Sequence, residues 1–289
     1  METQQQFKRR FSFEFFPPKT DAGKEKLQTV RGRLAEVDPD FFSVTFGAGG
    51  STRDRTIETV LNLHKQGIST APHLSCVGGT RQEIGELLDL YKENGVNRIV
   101  ALRGDMPSGM GAAGELRYAN ELVSFIREHS GDTFNLEVAA YPEFHPQAKN
   151  AEEDLKNFAR KVEAGANSAI TQYFFNPDSY FYFIDRLEKM GVTIPVVPGI
   201  MPIVNFTNLT RFSDMCGAEI PRWIRKQLEA YGDDSDSIRQ FGEEVVTRMC
   251  EKLLAAGAPG LHFYTLNQAE ASLNIWNNLG LTDREKIAF

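Results

Sequence analysis

The sequence predicts an α/β protein, a (β/α)8 barrel of the TIM type with an extra helical stretch before its last strand. Three observations predict it. Eight apolar runs of strand length alternate with eight segments of helical periodicity, over roughly the 250 residues such a barrel needs. Several helical segments end in a Gly placed as a C-terminal cap, as in KENGVNRI, EAGANSAI and EKMGVTIP. Nearly every strand delivers a polar group at its exit, where a barrel collects its chemistry.

In chain order the strand candidates are FSFEFF (11–16), FFSVTF (41–46), STAPHLSC (69–76), NRIVALRG (97–104), FNLEVAAYP (134–142), SAITQYFF (168–175), PVVPGIMP (195–202) and GLHFYTL (260–266). Helices are expected at 21–37, 52–66, 80–94, 116–129, 151–164, 178–190, 205–216 and 267–278. A further helical stretch, 221–256, interrupts the last unit. An open doubly wound sheet is the alternative, but it normally brings a glycine-rich first turn, and FEFFPPKT stands there instead. FGAGGST after the second strand imitates a dinucleotide fingerprint. It lacks the final Gly, and the next strand ends HLSC, without an acidic residue to grip ribose.

Composition narrows the partners. The net charge of −7 and pI near 5.4 would repel nucleic acid and anionic membrane surfaces, while leaving room for a small anion in a local basic pocket. Cys76, Cys216 and Cys250 are too scattered for a disulfide framework or zinc knuckle, and fit packing roles in a reducing compartment. METQQQFKRR has no apolar stretch behind its charges, and no run approaches the ~20 apolar residues of a membrane span. A cytoplasmic protein is expected.

Strand 1 poses the sharpest question. Phe11, Phe13 and Phe15 suit the helix-covered outside of a barrel, which turns Ser12 and Glu14 inward. A buried carboxylate costs several kcal/mol unless it is paired or protonated. Strand 2 likewise separates Phe42, Val44 and Phe46 from Ser43 and Thr45. Further exits bring His73, Arg103 to Asp105, Tyr141, Glu143 and His145, Gln172, and His262 with Tyr264. His73 has a plainer reading as a core histidine, Glu143 as a turn cap, and Glu163 and Asp185 as solvated helix faces. Glu14 and Asp105 resist such readings, because each sits within or directly after an apolar strand. The sequence shows no HExxH, CxxC or clustered carboxylate–histidine set, so no metal site is expected. It shows no Gly-x-Ser-x-Gly elbow, no P-loop and no lysine within a strand for a Schiff base. On the fifth helix Asp154, Asn157 and Lys161 lie at i, i+3 and i+7 beside Arg160. Such a stripe is ordinarily a solvated face; placed just after the YPEFHPQAK loop, it could hold a ribose and a diphosphate.

Taken together, FSFEFFPPKT, VTFGAGG with RDRT, APHLSC, IVALRGD, AAYPEFHP, AGANSAITQYFF, PGIMPI with NF, and HFYTLN resemble the methylenetetrahydrofolate reductases, in the same order, from about Phe11 to Leu279. The resemblance implies noncovalent FAD and reduction of 5,10-methylenetetrahydrofolate to 5-methyltetrahydrofolate by NADH or NADPH, usually NADH in bacteria. Glu14 is implied as the general acid that protonates N10 and opens the imidazolidine ring, with a pKa raised by its apolar surroundings. Asp105 is implied beside the flavin, lowering its potential, contacting the pterin and stabilising the iminium cation. The implied flavin contacts are Thr45, Phe46, Ala48, His73, Arg103, Gly104, Asp105, Tyr118, Ala119, Tyr141, His145, Ala148, Asp154, Asn157, Arg160 and Lys161. On the substrate side stand Glu14, Asp105, Gln172, Asn208, Phe212, Tyr264 and Gln268. Two of these depart from the family: relatives carry Gln where Asn208 stands, and Arg where Gln268 stands. The expected organisation is one catalytic domain, 1–289, with 1–10 as a short N-terminal tail and no regulatory domain. The expected partners are the small-molecule substrates and further copies of the chain in a homo-oligomer. The rival readings are a flavin-free pterin-binding methyltransferase barrel and a non-enzymatic flavin- or folate-storage protein.

Overall fold

Strand β1 (Arg10–Phe15) shows how the molecule is sided. Phe11, Phe13 and Phe15 point outward and are buried, and Phe11 and Phe13 pack 5.2 and 5.8 Å from the Trp276 ring. Ser12 and Glu14 take the opposite, inward face, as strand alternation requires. The computed structural model describes residues 1–47, 52–105 and 114–281. Within them the pattern repeats as α1 (Asp21–Ala35), β2 (Phe41–Val44), α2 (Arg53–Lys65), β3 (Thr70–Ser75), α3 (Arg81–Glu93), β4 (Arg98–Leu102), α4 (Ala119–Ser130), β5 (Asn135–Ala140), α5 (Ala151–Glu163), β6 (Ser168–Thr171) and α6 (Pro177–Lys189). There follow β7 (Val196–Val197), β8 (Gly199–Ile200), α7 (Phe206–Cys216), α8 (Arg222–Tyr231), α9 (Ser235–Ala255), β9 (Gly260–Tyr264) and α10 (Glu270–Asn278).

All neighbouring strands pair in parallel, in the order β7-β6-β5-β4-β3-β2-β1-β9-β8. The two ends of that order are halves of one short strand, separated by Pro198. Val196 and Val197 pair with β6, while Gly199 and Ile200 pair with β9. Proline has no N–H to give a ladder, but its carbonyl still accepts from His262 N at 2.9 Å. The sheet therefore closes, and the molecule is the expected (β/α)8 barrel with α8 and α9 inserted before its last strand. Gly199 is required at the closure. A Cβ there would stand 2.1 Å from the Thr171 carbonyl oxygen and 2.7 Å from the Tyr264 ring.

Phe41, Ala71, Val100 and Ile170 fill the barrel's middle. Beneath them a second charged residue of an apolar strand, Glu137, pairs with Arg98 and accepts from Ser168 Oγ at 2.5 Å. The Arg98 guanidinium lies over the Phe41 ring at 4.6 Å. Burying this pair is tolerable because both ions are hydrogen-bonded. With the floor filled in this way, the C-terminal ends of the strands are the side open to a ligand among the described residues.

Element boundaries moved where tertiary contacts overrode pattern. Gly95, Gly165 and Gly191 do cap helices at positive φ, as expected. The 221–256 stretch is two helices, because Gly232 (φ 56) turns the chain between them. The last helix begins at Glu270 rather than 267, since Leu266 and Asn267 take left-handed conformations that no α-helix contains. Strand β6 stops at Thr171, and Gln172 to Phe175 leave the sheet toward α6.

Candidate active site

Strands β1, β3 and β9 bring three ionisable side chains together at the barrel mouth. One Glu14 carboxylate oxygen stands 3.3 Å from His73 Nε2 and 3.6 Å from His262 Nε2. His262 is fully buried, and its Nδ1 shares a 2.7 Å hydrogen bond with Ser12 Oγ. Burial by itself pushes the Glu14 carboxyl up, but the close approach and charge of His262 and His73 outweigh it, and the net pKa is lowered to about 2. The expectation of a raised Glu14 pKa is thereby corrected. It took the strand's apolar neighbours as the whole environment, and two imidazoles arrive from strands far away in sequence. The absence of a clustered carboxylate–histidine set was also a property of the linear order alone. Among the described residues, though, no group of three or more His, Cys, Asp or Glu is arranged to hold a metal ion.

Aromatic and hydroxyl groups wall this cluster on one side. Tyr264 stands edge-on to His262, ring centroids 5.3 Å apart, and donates its hydroxyl to the Thr171 carbonyl at 2.6 Å. Burial, and then the nearby Glu14 charge, raise the Tyr264 pKa well above its ordinary value, so it remains a neutral donor. Tyr173 continues the wall, 6.3 Å from Tyr264 and hydrogen-bonded to Ser213 of α7 at 3.0 Å. Gln172 turns its side-chain oxygen back to the Tyr173 amide. Asn208 and Phe212 occupy one face of α7, a turn apart; Asn208 is exposed and Phe212 half-buried. Gln268 is exposed in the turn before α10, its amide bonded to the Thr265 carbonyl.

The other side of the mouth is basic and polar. Arg103, Gly104 and Asp105 leave the end of β4, and Asp105 is exposed. Gly104 has φ 83, and a Cβ there would collide with Ser75 Oγ at 1.8 Å, so only glycine lets this backbone lie flat on β3. Tyr141 packs edge-on to His145 at 4.6 Å, and the Tyr141 hydroxyl is pushed up to about 12 by burial and by the Asp105 and Asp154 charges. Asp154 accepts from the His145 amide at 2.9 Å, and the Ala148 amide donates to the His145 carbonyl at 2.8 Å. The α5 stripe is formed as expected: Arg160 donates to Asn157 at 2.5 Å and to Glu153 at 3.1 Å. Lys161 is half-buried, donates to the Ala139 carbonyl at 2.5 Å, and has its pKa lowered to about 8 by desolvation, with Asp154 opposing. An ammonium held so poorly compensated suits an anion arriving from outside. Thr45 and half-buried Phe46 follow β2, while exposed Tyr118 caps α4 and Ala119 begins it. Ala48 lies outside the described residues.

Two contributors went unassigned at the level of sequence. Ser12 was visible as inward-facing and His262 as a polar exit residue, but their hydrogen bond to each other was not. Thr265 and Asn267 stand in the HFYTLN motif, but no role is assigned to either from sequence. Thr265 Oγ1 donates to the Glu14 carbonyl at 2.6 Å, and Asn267 bonds the backbone of Phe16.

The fold has known counterparts. A solved structure of a Clostridium thermocellum protein described as binding two copies of 5-methyl-5,6,7,8-tetrahydrofolic acid superposes with a TM-score of 0.66 at 17% identity, covering 98% of this chain and 97% of the other. At that identity the likeness speaks for the fold alone. Sequence relatives are much nearer. The 5,10-methylenetetrahydrofolate reductase of Escherichia coli (strain K12) is 42% identical over 271 residues, 93% of this chain and 90% of the relative. The Zea mays methylenetetrahydrofolate reductase (NADH) 1 is 38% identical over 292 residues, 96% of this chain and 49% of the relative. The family model described as methylenetetrahydrofolate reductase matches residues 1–280. With that match spanning the whole barrel and its mouth, this chain belongs to the methylenetetrahydrofolate reductase family.

Proposed function

We propose that this protein reduces 5,10-methylenetetrahydrofolate to 5-methyltetrahydrofolate, with a nicotinamide, NADH in preference to NADPH, as reductant and a noncovalently held FAD as carrier. The observation that carries the reading is the Glu14 carboxylate, buried at the barrel mouth and faced by two imidazoles. The residues present suit the cofactor. Lys161 is a half-buried ammonium whose pKa is lowered by desolvation, beside Arg160, Asn157 and Asp154, which are apt for a diphosphate and a ribityl or ribose chain. Thr45, Phe46, His73, Arg103, Gly104, Asp105, Tyr118, Ala119, Tyr141, His145 and Ala148 would complete the holding set, with Ala48. When bound, FAD supplies two-electron hydride chemistry that no side chain offers.

The chain's own part is to move a proton and to place charge. Ring opening of the folate needs a proton at N10. Glu14 is ionised in the cluster, so the proton it hands over comes by way of His262 or His73, with Ser12 Oγ fixing the His262 ring. The arrangement replaces a raised carboxyl pKa with a shared proton. Asp105, at the exit of β4, stabilises the iminium cation by charge. Gln172 orients the pterin edge, and Phe212 packs against it. Asn208 and Gln268, both exposed, serve the remote end of the folate, where Gln268 offers neutral hydrogen bonds in place of an arginine fork.

The test is spectral. Purified protein should be yellow, bleach with NADH, and recover its colour on adding methylenetetrahydrofolate. Colourless protein with no flavin released on denaturation favours the methyltransferase reading; bleaching without recovery favours storage. In the same assay Glu14→Gln should lower the folate-dependent step by about 10²–10⁴ and leave NADH oxidation by an artificial acceptor in place. Equal loss of both would make Glu14 structural.

A further inference from the structure

The turn that follows β9 carries two successive non-glycine residues at positive φ, Leu266 (51) and Asn267 (55). A left-handed backbone is unfavourable for a residue with a branched or bulky side chain; asparagine tolerates it, but a leucine has nothing of its own to gain there. The turn must therefore be held from outside. Asn267 does so with both ends of its amide: Oδ1 accepts from Phe16 N at 2.8 Å, and Nδ2 donates to Phe16 O at 3.0 Å. This pair of bonds reproduces one ladder step beyond the last paired residues of β1 and β9, Glu14 and Tyr264. Thr265 locks the same place from below. Its hydroxyl donates to the Glu14 carbonyl at 2.6 Å and accepts from the Asn267 amide at 3.1 Å. Just past β2, the Thr45 amide donates to the Phe15 carbonyl at 3.0 Å. Three consecutive backbone positions, Glu14 to Phe16, are thus gripped at the point where an ordinary strand would already be fraying.

Among the described residues, the Asn267 side-chain amide bonds go to Phe16 and not to the helix that follows. Helix α10 begins at Glu270, and no side chain caps it. A glutamate has three side-chain torsions, so its carboxylate can meet two imidazoles reproducibly only if its backbone is fixed. We propose that Asn267 is a positioning residue, which spends the strain of its turn on clamping the β1 exit and so holds the Glu14 carboxylate against His73 and His262. The proposal rests on the reading of Glu14 as the route of the folate proton.

Two substitutions separate clamp from turn. Asn267→Gly adopts φ 55 without cost but removes both amide bonds, whereas Asn267→Asp keeps the acceptor for Phe16 N and loses the donor. For Asn267→Gly, kcat for folate reduction should fall about ten- to a hundredfold with KM nearly unchanged. Its pH profile should be displaced, and NADH oxidation by an artificial acceptor should remain at the parent rate. Asn267→Asp should fall between. The His73 and His262 ring resonances, followed by NMR without substrate, should be displaced in Asn267→Gly, because the carboxylate facing them is no longer held in place. Parent-like folate kcat, pH profile and imidazole resonances in Asn267→Gly would overturn the clamp, as would equal loss of both half-reactions alongside a collapse in melting temperature. Glu14→Gln run in parallel keeps the two ideas apart. If it retains folate reduction, the role of Glu14 is wrong; if it loses folate reduction while Asn267→Gly does not, the positioning is wrong.

Discussion

Burial alone would drive the Glu14 carboxyl neutral, and its two imidazole neighbours reverse the outcome. The sign of the pH dependence follows. A group whose pKa is 4.5 unfolded and about 2 folded stabilises the native state above pH 4.5, and loses that contribution as pH falls toward 2. The full difference corresponds to roughly 3 kcal/mol. Melting temperature should therefore drop between pH 5.5 and 2.5 more steeply in the parent protein than in Glu14→Gln, which cannot titrate. Parallel curves would mean that the His73 and His262 contacts are not made in solution. The same residue shows why a carboxylate survives in a phenylalanine-rich strand: the phenylalanines face the helices, and Glu14 faces His73, His262 and the mouth.

At the scale of elements, the closure of the barrel is its most economical part, two residues on each side of Pro198. The short β7 is completed by a side chain from the amino-terminal segment. Gln4, 2% exposed, accepts from Val196 N at 2.8 Å through its amide oxygen and donates to Ile194 O at 3.1 Å. Thr3 adds a bond from its hydroxyl to Glu188 of α6 at 2.8 Å. Gln4→Ala leaves a buried amide and carbonyl without these partners, a loss of about 1–3 kcal/mol. Its melting temperature should fall by several degrees with kcat unchanged, because these contacts lie at the floor, opposite the mouth. An unaltered melting temperature would show that water replaces the amide. Helix α5 illustrates the opposite case. Its stripe was readable from spacing alone, since i, i+3 and i+7 positions share a face whatever the helix packs against.

At the scale of the molecule, the plugged floor leaves a polar mouth among the described residues, with the basic α5 side on one flank and the Glu14 side on the other. Nicotinamide and folate should then use that mouth in turn. Initial-rate plots at varied NADH and folate should be parallel, with inhibition by excess folate. Intersecting lines without such inhibition would indicate two separate sites. No helix among the described residues is long and apolar enough to cross a membrane.

The sequence by itself determined the alternation of strands and helices, the inward turn of Ser12 and Glu14, the glycine caps at Gly95, Gly165 and Gly191, and the family. Each follows from periodicity, from residue chemistry or from motif order, which are properties of neighbours along the chain. Tertiary structure alone decided the protonation of Glu14, the hydrogen bond of Ser12 to His262, and the grip of Asn267 on Phe16, 251 residues away. It also decided where the last helix starts, because Leu266 and Asn267 are left-handed and Asn267 is held there by Phe16, just past β1. The physical reason is common to all four. Electrostatic and hydrogen-bond energies depend on distance in space, and closing a barrel sets its first and last strands side by side.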